Sequence, residues 1–589
     1  PFYFQISFSQ VALGLHGIEI GTQNHKVMQY ADDITVSVCD VASVQHVIET
    51  VHHFSVCAGP TLNLRKTKGV WLGSLKDLGL RTHCNITFTG KPIKCLGVYI
   101  GHDHEQNLRL NWVKRVDNIE KLLQNWSKRN ITLFGKVKVI KTYAMSKIVF
   151  PTTVMSIPDD IVKRIKNVIF EYLWGKRDRI KRSTVTLNQI DGGLSMLDIE
   201  NFILSIKASW VDRILYHEGK WSEILKYHID NINMDVNYLL KTSFIKPEEF
   251  PVIMNLPKFY QDIFVSFNLS KHEKQFHNLN DSEVFQLPIW GCKHFKHNSQ
   301  CLYLSNWLRS NILYVKDLIK HDGELYSDEE LFNIPMNKTN IIADVFILKK
   351  AVIKKIRRLN ISIAPYVKIK TISHVLCKNK LCPIKGSRSK MYYDMLQIKL
   401  YNKGHMQTIY SSEFDFENRR QIWNNIFSQK VIEIRLPKIK ELHYKLLNNI
   451  VVCGYILHKW KKIENDVCQY CHITETAKHM LYECARIHDI WLDVMNILGC
   501  DITWKTIVCG FPKYQPSVKI SSINYIIGII CYSIFKLNMY CKFNGVNYKF
   551  ANVKNRITGD LQWQAKILSV IHPNIYNSCT FRNFVNKYA

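Results

Sequence analysis

The sequence predicts an α+β protein. It has a strand-rich first hundred residues, a mainly α-helical remainder, and a small Cys/His knuckle toward the C-terminal end. Three observations lead there. Short apolar runs alternate with turn residues up to about residue 100. After Asn111 the apolar residues recur at helical spacing. Four metal-binding side chains then fall in one short stretch, Cys468-x2-Cys471-x7-His479-x4-Cys484.

The elements follow in chain order. Residues 27–30 and 34–38 are apolar runs flanking Ala31-Asp32-Asp33, which reads as a hairpin with acidic residues at its turn. Residues 44–54 have helical spacing, and 70–72 and 96–100 are strand-like. Val116, Ile119, Leu123 and Trp126 lie on one helical face. Residues 135–150 and 161–174 continue as helices, the latter opened by Pro158-Asp159-Asp160. The division expected is 1–101 strand-rich, 102–215 helical, 216–378 helical or mixed, 391–510 helical with the knuckle, and 511–589 helical. Residues 379–390, with Pro383 and Gly386, are the linker candidate. Residues 523–535 are the longest apolar run; shorter than a bilayer span, they read as a buried helix rather than a membrane segment.

Composition narrows the function classes. Hydrophobic residues make up 47% and charged residues 22%, which excludes wholesale disorder. The 79 Lys and Arg exceed the 49 Asp and Glu, leaving +30. Such a surface attracts phosphate backbones and points to nucleic acid. The 17 Cys are mostly scattered singly in a long chain, as expected of an intracellular, reducing compartment.

Two constellations carry chemistry. Adjacent carboxylates at a hairpin tip, Asp32 and Asp33, suit a divalent metal such as Mg2+ that carries triphosphate, although a solvated Asp-Asp turn reads the same way. Three thiolates and an imidazole, Cys468, Cys471, Cys484 and His479, make a closed structural Zn2+ set. His472 competes as a ligand, and Cys453 and His488 are weaker rivals. Basic stretches add phosphate-tracking capacity: Lys176-Arg177-Asp178-Arg179-Ile180-Lys181-Arg182, and the lysines and arginines of 349–358. Each also reads as solvated surface.

The order of motifs resembles the reverse transcriptases of non-LTR (LINE-type) retrotransposons. Tyr30-Ala31-Asp32-Asp33 is similar to their catalytic palm hairpin. Asn63-Leu64-Arg65-Lys66-Thr67-Lys68 and the strand after it are similar to the next palm motif, and Leu96-Gly97-Val98-Tyr99-Ile100-Gly101 to the primer-grip hairpin. Trp126-Ser127-Lys128-Arg129 with the stretch from Leu133 to Lys141, then residues 170–176 and Gly192-Gly193-Leu194, resemble the thumb. Residues 319–325 and the Cys/His cluster also follow the family's pattern.

The resemblance implies the C-terminal half of a palm at 1–101, a thumb at 102–215, and a zinc knuckle after it. It implies metal-binding roles for Asp32 and Asp33, and a place for Lys66 or Lys68 beside the leaving pyrophosphate. Leu96 and Gly97 would approach the primer, and Lys136, Lys141, Arg177, Arg179, Lys181 and Arg182 the nucleic-acid backbone. The partners implied are an RNA template and a DNA primer or target, in the nucleus or a cytoplasmic ribonucleoprotein; the sequence gives no signal of oligomeric state. Residues 1–31 contain no Asp and no Arg-Gln-Gly, which the family supplies from earlier palm motifs. The expectation is therefore a C-terminal piece with an incomplete active site, inactive alone. The alternatives are a non-catalytic RNA/DNA-binding protein derived from a retroelement, or a zinc-stabilised interaction module.

Overall fold

The computed structural model describes residues 16–21, 23–30, 33–59, 61–78, 81–83, 85–175, 177–320, 324–334, 340–359, 368–377, 380–398, 405–514, 517–546 and 550–588. The chain forms two compact units. The first takes 1–118, 147–164 and 199–399; the second takes 119–146, 165–198 and 400–589.

Short hairpins open the first unit. β1 (Ile18–Ile20) pairs with β2 (Gln23–His25), and β3 (Val27–Tyr30) with β4 (Asp33–Val36), Tyr30 lying opposite Asp33. Only residues 31 and 32 separate β3 from β4, the length that favours a tight hairpin. Helix α1 (Ala42–Ala58) packs Val47, Val51 and Phe54 against Val27, Ile34 and Val36, and this small core anchors the hairpin. β5 (Lys68–Val70) runs parallel to β7 (Ile86–Thr89), which pairs antiparallel with β6 (Arg81–His83). Gly69 is required there, because a Cβ would lie 2.2 Å from the Phe88 ring. β8 (Ile93–Cys95) and β9 (Val98–Ile100) make the last hairpin of this region.

These strands were expected to belong to half a palm. Among the described residues they form separate sheets of two or three strands. Strands of three or four residues make few ladder bonds, so side-chain packing does the holding. The run expected as one strand at 96–100 turns at Leu96 and Gly97, both at positive φ, before β9 begins.

The core of the first unit gathers around Trp290, Tyr238, Phe244, Phe250 and Phe267, all fully buried. Much of this lies in 216–300, where sequence periodicity is weakest. The reason is geometric: the helices Lys220–Asn231 and Lys258–Ser270 are separated by short helices and 3-10 turns, such as Val236–Lys241 and Pro247–Glu249, which interrupt the period. Buried Lys271 donates to the carbonyls of Leu240 (2.7 Å) and Thr242 (2.5 Å), tying the aromatic layer to its own backbone.

The linker expected at 379–390 is a correction. His374–Cys377 pairs with Lys380–Pro383, Ile384 is fully buried, and the Gly386 N–H donates to Asp212 at 2.7 Å. Pro and Gly here shape a packed hairpin rather than a tether.

The second unit is helical. Its centre is the helix Val518–Asn544, which contains the apolar run expected at 523–535. By length and composition this helix could cross a membrane, with mean hydropathy 1.6, yet 72% of that window is buried inside the protein. Helices Pro437–Leu447 and Phe550–Ile571 pack against it.

Candidate metal centre and cationic face

The Cys/His knuckle is built locally. Val467 bridges Thr474, the Cys468 N–H donates to the Ile473 carbonyl at 2.8 Å, and the His472 N–H returns to Cys468 at 3.0 Å. This turn brings Cys468 and Cys471 to one side, with His472 exposed at its left-handed bend. A single wide helical turn, His479–Glu483, presents His479, and Cys484 caps the following helix Ala485–Leu498. The ligand atoms of Cys468, Cys471, His479 and Cys484 all lie within 4.8 Å of one another. Neither His472, Cys453 nor His488 belongs to the group, so the competing ligand is set aside.

The geometry fits a tetrahedral ion. Cys484 Sγ lies 3.9 Å from Cys468 Sγ and 3.7 Å from Cys471 Sγ. Zinc–sulfur bonds of about 2.3 Å at the tetrahedral angle place sulfurs about 3.8 Å apart. His479 is 2% exposed, and neither ring nitrogen has a protein partner. Leaving both orphaned in the interior is costly, which a metal bond would relieve. A hydrogen bond from Cys484 holds the Cys468 thiol well below its ordinary value and pushes Cys484 up.

A carboxylate absent from the sequence-based site fixes the knuckle in place. Glu475, 2% exposed, accepts from the Gly454 N–H (2.9 Å) and the Asn538 amide (3.2 Å) and pairs with Lys542 at 3.2 Å. Asn538 and Lys542 belong to the long helix Val518–Asn544, so the knuckle is clamped to the unit's core. Trp491, buried on the helix after the knuckle, donates from its indole to the Leu481 carbonyl at 3.0 Å.

The acidic hairpin has a different character. Asp32 lies outside the described residues. Asp33 opens β4 and is exposed. Lys66 sits in an exposed turn whose Lys66 and Thr67 N–H groups both donate to Asn63 at 3.0 Å. No hydrogen bond or ion pair joins Lys66 to Asp33 among the described residues. Among those residues the only group of three or more His, Cys, Asp or Glu placed to hold a metal is the knuckle; Asp33 belongs to none.

The neighbouring hairpin is better fixed. Leu96 (φ +45°) and Gly97 (φ +84°) form its tip, with Leu96 47% exposed. Thr35 Oγ1 in β4 lies 3.4 Å from Cys95 Sγ in β8, which sets the two hairpins side by side. Buried Asn111 grips both the N–H and the carbonyl of Tyr99 at 2.8 Å. The Arg115 guanidinium donates to the carbonyls of Gly97 and Lys147, joining the tip to the helix Ser146–Val154. Burial lowers the Arg115 pKa from its usual value.

The cations expected on a nucleic-acid face divide into two kinds. Lys136 Nζ donates to Tyr172 (3.0 Å) and Leu173 (3.1 Å), the last carbonyls of helix Asp159–Trp174, so much of its charge caps that helix. Arg182 pairs with Asp178 at 2.7 Å, donates to Asn167 and stacks on Phe170. Lys141, Arg177 and Lys181 are exposed. Arg179 stacks its guanidinium 4.4 Å from the Trp460 ring, bringing the basic run against the segment before the knuckle. Trp460, Lys542 and Arg115 escaped the sequence reading. Only Trp460 carried a signal, as an aromatic residue among Lys459, Lys461 and Lys462.

No family model matches the chain. Over 246 residues it is 22% identical to the "Transposon TX1 uncharacterized 149 kDa protein" of Xenopus laevis, covering 41% of this chain and 19% of that protein. The chain thus spans about a fifth of that relative's length, and the match lends weak support to a transposon origin.

Proposed function

We propose that this chain is the palm-hairpin, thumb and zinc-knuckle part of a retroelement reverse transcriptase. It engages an RNA template and DNA primer through its cationic surfaces but does not complete a polymerase active site by itself. The observation that carries the reading is the pair of adjacent hairpins. Asp33 begins the second strand of one, Leu96 and Gly97 form the tip of the other, and Thr35 meets Cys95 between them. A polymerase needs its metal carboxylates and its primer-gripping turn near one another, and the contact between the two hairpins supports that reading. The excess of positive charge supports binding to polyanionic strands.

A second reading keeps the binding and omits the chemistry: a nucleic-acid-binding protein derived from such an element. The excess of positive charge, +30, supports it without any catalytic site. Two-metal phosphoryl transfer needs carboxylates from more than one strand to fix both ions.

The test uses the full chain, an RNA template annealed to a DNA primer, and a salt titration. Affinity should fall linearly on logarithmic axes, with a slope reporting several released counterions. Binding that ignores salt would overturn the nucleic-acid reading. Primer extension with Mg2+ should be absent; extension abolished by Asp32→Ala would show a complete site and overturn the predicted inactivity.

A further inference from the structure

A cavity of about 410 Å3 lies wholly within the second unit, under the helix Pro437–Leu447. That size is in the range of small-ligand sites, roughly 300–1,000 Å3. Four cations line it, Lys136, Arg179, Lys438 and Lys445, against the single carboxylate of Glu441.

That carboxylate is already occupied. Glu441 pairs with Lys445 at 3.1 Å, and the same oxygen accepts the Leu133 N–H at 3.2 Å. Lys136 commits two of its three N–H donors to helix carbonyls, and Lys438 donates once, to Asn130 at 3.1 Å. Arg179 rests on Trp460 and makes no ion pair among the described residues. Among the described residues, three positive charges therefore face the cavity without a matching negative one, the condition under which a phosphate enters.

The rest of the lining is aromatic. Tyr532 and Phe535 sit one turn apart on the long helix, half-buried, with rings 6.4 Å apart and 26° from parallel. Trp174 lines the cavity, is 7% exposed, and its indole N–H has no acceptor among the described residues. Ring faces beside cations match a base joined to a phosphate. An acidic peptide would use the charges and leave the rings idle.

We propose that this cavity binds one nucleotide unit, its phosphate held by Arg179, Lys438 and the free donor of Lys136, and its base against Tyr532 and Phe535. The proposal rests on the nucleic-acid reading above and adds a discrete pocket to it. The nucleotide could be free or belong to a strand.

Calorimetry on the full chain tests it with adenosine 5′-monophosphate, adenosine and inorganic phosphate. The monophosphate should bind, and adenosine and phosphate should each bind at least tenfold more weakly. The double variant Arg179→Gln, Lys438→Gln should weaken the monophosphate at least tenfold. Tyr532→Leu, which keeps apolar bulk, should weaken it severalfold while leaving inorganic phosphate unchanged.

Competition then identifies the source. Displacement by a linear oligonucleotide alone assigns a strand end. Displacement by linear and circular forms assigns an internal nucleotide, and displacement by neither assigns a free one. No monophosphate binding, unchanged binding by the double variant, or equal displacement by a polyglutamate peptide would overturn the proposal. If a labelled oligonucleotide still binds in that case, the pocket alone fails; if it does not, the broader reading fails too.

Discussion

The acidic hairpin and the Cys/His knuckle are equally visible in the sequence, yet they occupy opposite physical situations. The knuckle is complete within one short stretch, buried, and clamped by Glu475 and Lys542 to a core helix. The hairpin is exposed at Tyr30 and Asp33 and rests on a small apolar cluster around Phe54. A structural metal site can be assembled from a turn and a helix end, because chain geometry alone brings its ligands together. A two-metal catalytic site cannot, because its carboxylates must come from several strands. The difference teaches that two equally legible local motifs can end in opposite surroundings, one clamped to a core helix and one exposed on a small apolar cluster.

The comparison breaks most readily at the knuckle. Cys484→Ser should abolish stoichiometric zinc, measured by metal analysis of the purified chain. It should also destabilise the second unit by several kcal/mol, since structural zinc in finger peptides contributes about 10–16 kcal/mol. Unchanged stability would reduce the cluster to ordinary core thiols. Next in size is Glu475→Ala, which strands Lys542 and two donors; a urea titration should show a loss of about 3–5 kcal/mol.

A pH experiment probes the burial behind that clamp. Fully buried Lys430 donates to Asn524 at 3.3 Å, and burial lowers its pKa from 10.5 to about 7. Below pH 7 both folded and unfolded states carry the proton. Between 7 and 10.5 only the unfolded state does. Stability should therefore rise with pH across that window by about 1.4 kcal/mol per unit from this group, and fall as pH is lowered through it. In Lys430→Met the slope should be shallower by that amount.

Smaller effects belong to the hairpins. Arg115→Ala removes hydrogen bonds to Gly97 and Lys147 and should cost about 1–3 kcal/mol, with faster amide exchange at the Leu96–Gly97 tip. Asp33→Asn should leave the unfolding midpoint unchanged within error. A large shift there would show that Asp33 is part of a structural network and would erase the contrast between the two regions.

Several elements were legible in advance. The β3–β4 hairpin follows from two apolar runs around a short acidic connection, and α1 from the helical spacing at 44–54. The four knuckle ligands follow from residue type and spacing, and the structure gathers those four and no competitor. The aromatic core of 216–300 was not legible, because short helices and 3-10 turns interrupt the period between its two longer helices. Nor was the packed hairpin at 374–383, whose Pro and Gly read as a linker until Ile384 is seen in the core.

The sequence by itself determined what neighbouring residues can build: the short hairpins, the amphipathic helices and the metal knuckle. Bond geometry limits how far apart residues a few positions away can be, so spacing carries the information. The tertiary structure alone decided that Lys136 caps a helix, that Arg179 stacks on Trp460, and that Lys438 shares a cavity with Tyr532. Residues from 130 to 535 meet there. No local pattern encodes such a meeting, because only the packing of whole helices sets which distant faces come together.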